Sequence, residues 1–334
     1  MIWQTTFGTV EVVQEVLRLG RRGRLLRGLG LSGYSKKLQR VLTDFGAEDS
    51  FEKAGARVLE HYGIEVSGSA VRRITLAHGR RIGQIGESKS GVPAKQIVTQ
   101  MDGSLIPIVQ AGKGADHRKG KTLLWREVRL CCTRADGQAD RLYGATLGSV
   151  ENASWMWRQT AQRAGLSERT YVHGVGDGAP WIVDRFKENF GRQGHYLLDF
   201  FHISEYLAAA GLAIVGKKKS KAWLRRQQGR LLNNRWRQVL RSMEQHQEPL
   251  GQQEAPVRSA YRYLRERAQY LDFEGARKRK LPIGSGEIES SHRHVVQRRL
   301  KLAGCWWKES NAQTMLNLRT ARANQDWMEY WISN

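Results

Sequence analysis

The sequence predicts an α/β fold: three successive strands followed by alternating helices and strands, with helical regions ahead of the sheet and inserted late in the chain. Three observations predict it. Residues from about Gln96 to Thr133 form apolar and β-branched runs broken by Gly, Lys and Asp turns. From about 151 to 211, stretches with helical periodicity alternate with short apolar runs. From about 212 to 280 strand character disappears and Arg, Gln and Lys dominate.

Residues 1 to about 45 contain GRRGRLLRGLGLSGYSKK, too rich in glycine to predict a helix, and read as a basic arm or loop that touches DNA backbone or packs on the core. From Asp49 the pattern changes. DSFEKAGARVLEHYG places Phe51, Ala54, Val58 and Leu59 at helical spacing, with Asp49 and Glu52 set as a capping box. A short turn, GIEVS, leads to SAVRRITLAHGRRIG, a second, basic helix that Ser67 or Ser69 can cap. The pair has the proportions of a helix-turn-helix and equally those of an ordinary helical hairpin.

The strand meander is IVTQMDG, SLIPIVQA and TLLWREVRLCCT. Then come a helix, ENASWMWRQTAQRAG, a strand, TYVHGVGDG, a helix, APWIVDRFKENFG, a strand, HYLLDF, and a helix opening HISEYLAAAG. After the Arg-rich helical insertion, IGSGEIESSHRHVVQRRLKLAG opens with small residues and continues as a helix that returns the chain to the core. The order βββαβαβα is that of the ribonuclease H-like fold. The expected divisions are a basic helical region over 1–90, a first part of the core over 91–211, an all-α insertion over 212–281 and a core completion over 282–334.

A chain of 334 residues with 40% apolar content and 11 Trp can build real cores, which excludes a disordered tail. Lys and Arg number 55 against 32 Asp and Glu, a formal charge of +23 spread along the chain. That excess suits a polyanion, because many phosphates are neutralised at once and their counterions released. Charge alone separates neither DNA from RNA nor binding from a surface kept basic for solubility. Cys131, Cys132 and Cys305 supply neither a ready disulfide nor a four-ligand zinc site, which fits a reducing interior. With no leader pattern and no apolar run of the roughly 20 residues a span needs, the expected location is the cytoplasm, with no membrane partner.

Asp102, in MDG, is expected at the end of the first strand, where a following glycine turns the chain. Asp177, in GVGDGAPW, is expected at the end of a later strand with glycines on both sides. Each alone reads more readily as a turn residue than as a functional one. Together with a third acid from GSGEIES, either Glu287 or Glu289, they form a cluster that repels itself unless cations are bound. Magnesium or manganese suits such oxygen ligands, and two ions about 4 Å apart stabilise both oxygens of an in-line displacement at phosphorus. Favourable charge at a helix N-terminus is the alternative reading of both glutamates.

These segments resemble the DDE transposases of bacterial insertion sequences, in the branch with Mutator-like features and a helical insertion before the last acid. The resemblance rests on MDG, on GDGAPWI, on the box from Asp199 to His202, on GSGEIES and on the tail GCWWKESNAQTMLNLRTARANQDWMEYW, and covers roughly residues 50 to 334. It implies metal-dependent cleavage and strand transfer of an insertion sequence, with double-stranded element ends and target DNA as partners. A homo-oligomer in the synaptic complex and two Mg²⁺ or Mn²⁺ ions are implied with it. Within GSGEIE it selects Glu289, and it marks Asp199 and His202 as a D-x-x-H pair beside the scissile phosphate, with a helix-capping aspartate and a packed histidine as the alternative reading. Trp307, in preference to Trp306, is expected to stack on an exposed base, with core packing by one of the two as the alternative reading. Arg293, Arg298, Arg299 and Lys301, recurring along the last helix, are expected at phosphates. Relatives of this kind often begin with a cysteine-bearing region that this sequence does not show, which implies a shortened copy with impaired end recognition. A catalytically degenerate DNA-binding protein and a ribonuclease H-like nuclease are the rival readings.

Overall fold

Polar caps and apolar stripes define three helices ahead of the sheet. The computed structural model describes residues 2–11, 33–84, 90–110, 112 and 120–333, so most of the basic cluster lies outside the described residues. A small antiparallel hairpin, β1 (Ile2–Thr5) and β2 (Gly8–Glu11), lies beside α1 (Lys36–Glu48). From Lys36 on, this helix stands where a loop was expected: past the glycines, Leu38 and Leu42 recur at helical spacing, and the Ser35 side chain accepts from Leu38 N–H. In α2 (Phe51–Tyr62) the cap is Ser50, not the expected Asp49, which pairs instead with Arg57 at 2.6 Å. Ala54 and Val58 of α2, Leu38 and Leu42 of α1, and Val71 and Ile74 of α3 (Gly68–Gln84) share one core. Residues 74–79 of α3 are all buried, so the helix presents Arg72, Arg73 and Arg80 outward from its two ends.

The main sheet is mixed and five-stranded. Its order is β5 (Leu142–Thr146), β4 (Thr122–Ala135), β3 (Gln96–Gln110), β6 (Tyr171–Gly176) and β7 (Gly194–Leu198). Strands β3, β4 and β5 form an antiparallel meander, and β6 and β7 join in parallel. With α4 (Val150–Arg163), α5 (Pro180–Phe190) and α6 (Phe200–Leu232), the chain order from β3 onward is βββαβαβα, as expected.

The strand boundaries differ from expectation. IVTQMDG and SLIPIVQA are one strand: Asp-Gly makes no turn, and Gly103 pairs with Arg129 across β4. A side chain at Gly103 would meet the Glu127 carboxylate from the same strand, so glycine here accommodates a neighbour's side chain. The third strand is LYGAT, too short and too small in side chains to stand out in the sequence.

Residues alternate between the two sheet faces. Ile97, Met101 and Cys131 bury against Trp157 of α4 and Phe186 of α5. Ile106, Ile108, Val128 and Leu130 bury on the other face. The insertion is built of helices joined by turns: α6 kinks at Gly216 (φ 66°), and α7 (Trp236–Glu244), α8 (Pro256–Glu266) and α9 (Phe273–Lys278) follow. Trp223, Leu231, Val239, Leu264 and Phe273 give it a core continuous with Leu198 and Ile203.

The chain then returns as α10 (Gly286–Ser291), a π-helical segment (His292–Gln297) and α11 (Arg298–Leu300), packed on the sheet face that carries Ile106 and Leu130. Buried pairs recur every fourth residue, at Ser291 and His292, Val295 and Val296, and Arg299 and Leu300. A straight α-helix would rotate such a stripe by about 40° at each step, and the wider π turn absorbs that drift. Helices α12 (Glu309–Ala323) and α13 (Trp327–Ser333) close the fold, with Tyr330 Oη 2.6 Å from His78 Nδ1 on α3. Among the described residues, no helix is long and apolar enough to cross a membrane.

Candidate active site

Parallel strands end together, and their carboxyl ends are where an α/β sheet exposes functional groups. Asp102 lies on β3 just past its parallel pairing with β6, which stops at Thr99. Asp177 follows the last residue of β6, and Asp199 the last residue of β7. A pocket of about 200 Å³ at this end is lined by Met101, Asp102, Gly176, Asp177, Asp199, His202, Ser285, Ile288 and Glu289.

Backbone donors orient two of the acids. Gly103 N–H donates to Asp102 Oδ1 at 2.7 Å, and Ala179 N–H donates to Asp177 Oδ1 at 2.9 Å. Burial, and after it the charges of Asp177, Glu127 and Glu289, push the Asp102 carboxyl up to about 6 against the lowering effect of the Gly103 bond.

Glu287 and Glu289 part company at the start of α10. Glu287 turns to Arg134 (3.0 Å) and Arg141 (3.0 Å), which, against the opposing effect of burial, hold its carboxyl below the usual range. Glu289 lines the pocket. Two buried side chains fasten this helix. Gln100 Oε1, one strand repeat before Asp102 on the same sheet face, accepts from Ile288 N–H at 2.9 Å. Asp199 Oδ2 accepts from Ser285 N–H at 2.7 Å and from the Ser285 hydroxyl.

Asp199 was expected to act in catalysis, yet it is only 3% exposed and its acceptors are engaged. Oδ1 takes the N–H groups of Phe201 (2.6 Å) and His202 (3.0 Å), capping α6. It is a strut between two helix starts. His202 remains half-exposed at the pocket edge, its ring against Tyr206 and Tyr263.

Two expected DNA contacts are corrected by burial. Arg299 is 1% exposed, its guanidinium 4.8 Å from the Phe51 ring and 4.7 Å from the Trp307 ring, and its Nε donates to Gly46 O at 3.1 Å. Burial pulls it down to about 10. It is a core cation whose flat, weakly hydrated head stacks between aromatic rings. Trp307 is 5% exposed and its carbonyl accepts from Val109 N–H at 2.8 Å, whereas Trp306 is 60% exposed. Arg293, Arg298 and Lys301 are exposed as expected.

The insertion reaches the site in a way the sequence did not signal. The Tyr263 hydroxyl donates to Asp177 O, and Arg267 Nε donates to Gly178 O at 3.0 Å. Gly178 adopts φ +74° with Leu198 and Arg267 pressed against it, so both its backbone and its missing side chain are needed. His292 also escaped notice: a histidine at a helix position gives no pattern that separates a packed ring from one aimed at a carboxylate. A larger cavity of about 610 Å³ near the start of β3 has its arginines already paired, Arg134 with Glu287 and Arg163 with Asp326, and is remote from the three acids.

No protein-family model matches this sequence, and no curated protein matches it. Among solved structures it is similar to a Drosophila P element transposase strand transfer complex, at 11% identity and a TM-score of 0.35, covering 94% of this chain and 83% of that one. It is similar also to NurA in a crystal structure, at 15% identity and a TM-score of 0.13, covering 80% and 65% of the two chains. At that level of similarity the functional reading stands on the chain's own site.

Proposed function

We propose that the chain is a DNA transposase with a ribonuclease H-like core, cleaving phosphodiester bonds and joining the freed end to target DNA, with Asp102, Asp177 and Glu289 holding divalent metal. The observation that carries this reading is the shared pocket: three acids far apart in sequence line one cleft at the carboxyl end of the parallel strands, while Glu287 is spent on arginines.

Mg²⁺ or Mn²⁺ fits the donor set. The oxygens are hard, and no Lys or Arg is among the lining residues. Among the described residues, no group of three or more His, Cys, Asp or Glu stands at ligand spacing. Magnesium keeps several waters and is held by one or two carboxylates together with substrate phosphate, so it does not require a closed set of protein ligands. Bound there, two such ions supply Lewis-acid stabilisation of the attacking and leaving oxygens.

The chain's own residues do the positioning. Gly103 and Ala179 N–H groups orient Asp102 and Asp177, and Gln100 and Asp199 hold the start of the Glu289 helix. His202 lines the pocket edge, and its role in this reading is to meet the scissile phosphate. Exposed Arg293, Arg298 and Lys301 take backbone phosphates of double-stranded DNA. Because two element ends must be joined together, the working form is a homo-oligomer, and it acts in the cytoplasm at the nucleoid.

Incubated in Mg²⁺ with a labelled duplex that carries the element's ends, the protein should give cleaved and joined products. Cleavage without joining would make it a nuclease, and neither product would make it a binding protein. Affinity for duplex should fall with salt by about 0.9 log units per log unit for each phosphate contacted. Lys301→Ala should lower that slope by about one contact, and Arg299→Ala should leave it unchanged while lowering the melting temperature. An unaltered slope in Lys301→Ala would remove that residue from the interface.

A further inference from the structure

The first residue of the π-helical segment, His292, reaches back under the pocket. It is 3% exposed, and its Nε2 stands 3.5 Å from Asp102 Oδ2, at the outer limit of a hydrogen bond. Among the described residues, neither ring nitrogen makes a hydrogen bond that meets distance and angle together, and the ring also faces the Asp102 backbone carbonyl. Buried polar groups are nearly always partnered, and an orphaned one next to an acceptor points to a contact that tightens in the working state.

Asp102 has Oδ1 held by the N–H of Gly103, and His292 Nε2 faces Oδ2. The ring comes there because the wide turn brings Ser291 and His292 inward together, four residues ahead of the buried pair Val295 and Val296.

We propose that His292 is a positioning residue for Asp102: its Nε2–H donates to Oδ2, so that both carboxylate oxygens are oriented from behind and their remaining lone pairs face the pocket. This rests on the reading of Asp102 as a metal-holding residue. Partners behind such ligands set their orientation, and losing one typically costs 10–100-fold in metal affinity or activity.

Three variants test it, each followed by calorimetric binding of Mn²⁺ to the full chain without DNA, by thermal melting and by end cleavage. His292→Gln puts an amide nitrogen where Nε2 lies and should bind Mn²⁺ within a fewfold of the parent. His292→Asn puts it where Nδ1 lies, and should bind 10–100-fold more weakly and cleave more slowly to match. Asp102→Asn serves as the reference and should lose binding. Parent-like Mn²⁺ binding by His292→Asn, or equal weakening in the Gln and Asn variants, would overturn the proposal while loss in Asp102→Asn left the metal reading intact. Parent-like Mn²⁺ binding by Asp102→Asn would overturn the metal reading itself.

Discussion

Asp102→Asn and Asp177→Asn should each lower cleavage of an end-bearing duplex by roughly a thousandfold or more, since metal-derived stabilisation of the transition state is worth several kcal/mol and each 1.4 kcal/mol is about tenfold in rate. The substitution keeps the shape of the side chain. Its amide can still take the Gly103 or Ala179 N–H, so the fold should be retained. The negative charge is what is lost. Duplex affinity, assigned to Arg293, Arg298 and Lys301 outside the pocket, should persist or tighten as repulsion of phosphate is relieved. Glu289→Gln should behave in the same way, and Glu287→Gln should act through stability instead, by loosening Arg134 and Arg141. Cleavage by labelled substrate and affinity by gel shift, run side by side, separate the two effects. Cleavage within a fewfold of the parent in both aspartate variants would end the two-metal reading.

Asp199→Ala should be among the most destabilising single changes near the site, by about 3 kcal/mol or more. The estimate follows from losing a helix cap, about 1 kcal/mol, and from leaving buried donors at Ser285 unpaired, about 1–3 kcal/mol each. Denaturant melts of the variant measure it. Cleavage should fall as well, because the start of the Glu289 helix is released. Asp199→Asn, which keeps one oxygen for the α6 cap but turns an amide toward Ser285, should be intermediate. Unchanged stability together with abolished cleavage would instead make Asp199 a participant in the chemistry, the role the sequence resemblance implied.

That contrast shows how much was legible beforehand. Alternating periodicity gave the order of strands and helices, and turn-rich motifs marked Asp102, Asp177 and the GSGEIES segment. Choosing between Glu287 and Glu289 required arginines from β4 and the loop before β5, more than a hundred residues away in sequence. An aspartate that caps a helix and one that binds metal have the same local signature, and only its four donors show which Asp199 is. Arg299 and Trp307 misled for a related reason: a basic or aromatic residue in a basic helix looks surface-bound until a four-residue burial pattern turns it inward. MDG read as a turn because Gly103 is needed for its neighbour Glu127, a cross-strand fact with no trace in the local sequence.

Cation occupancy of the pocket tests the central claim most directly. Crystals of the protein soaked in Mn²⁺ should show anomalous scattering between Asp102, Asp177 and Glu289, and the same soak of Asp102→Asn should lose it. Manganese bound elsewhere, with this pocket empty in the parent protein and its DNA complex, would contradict the account.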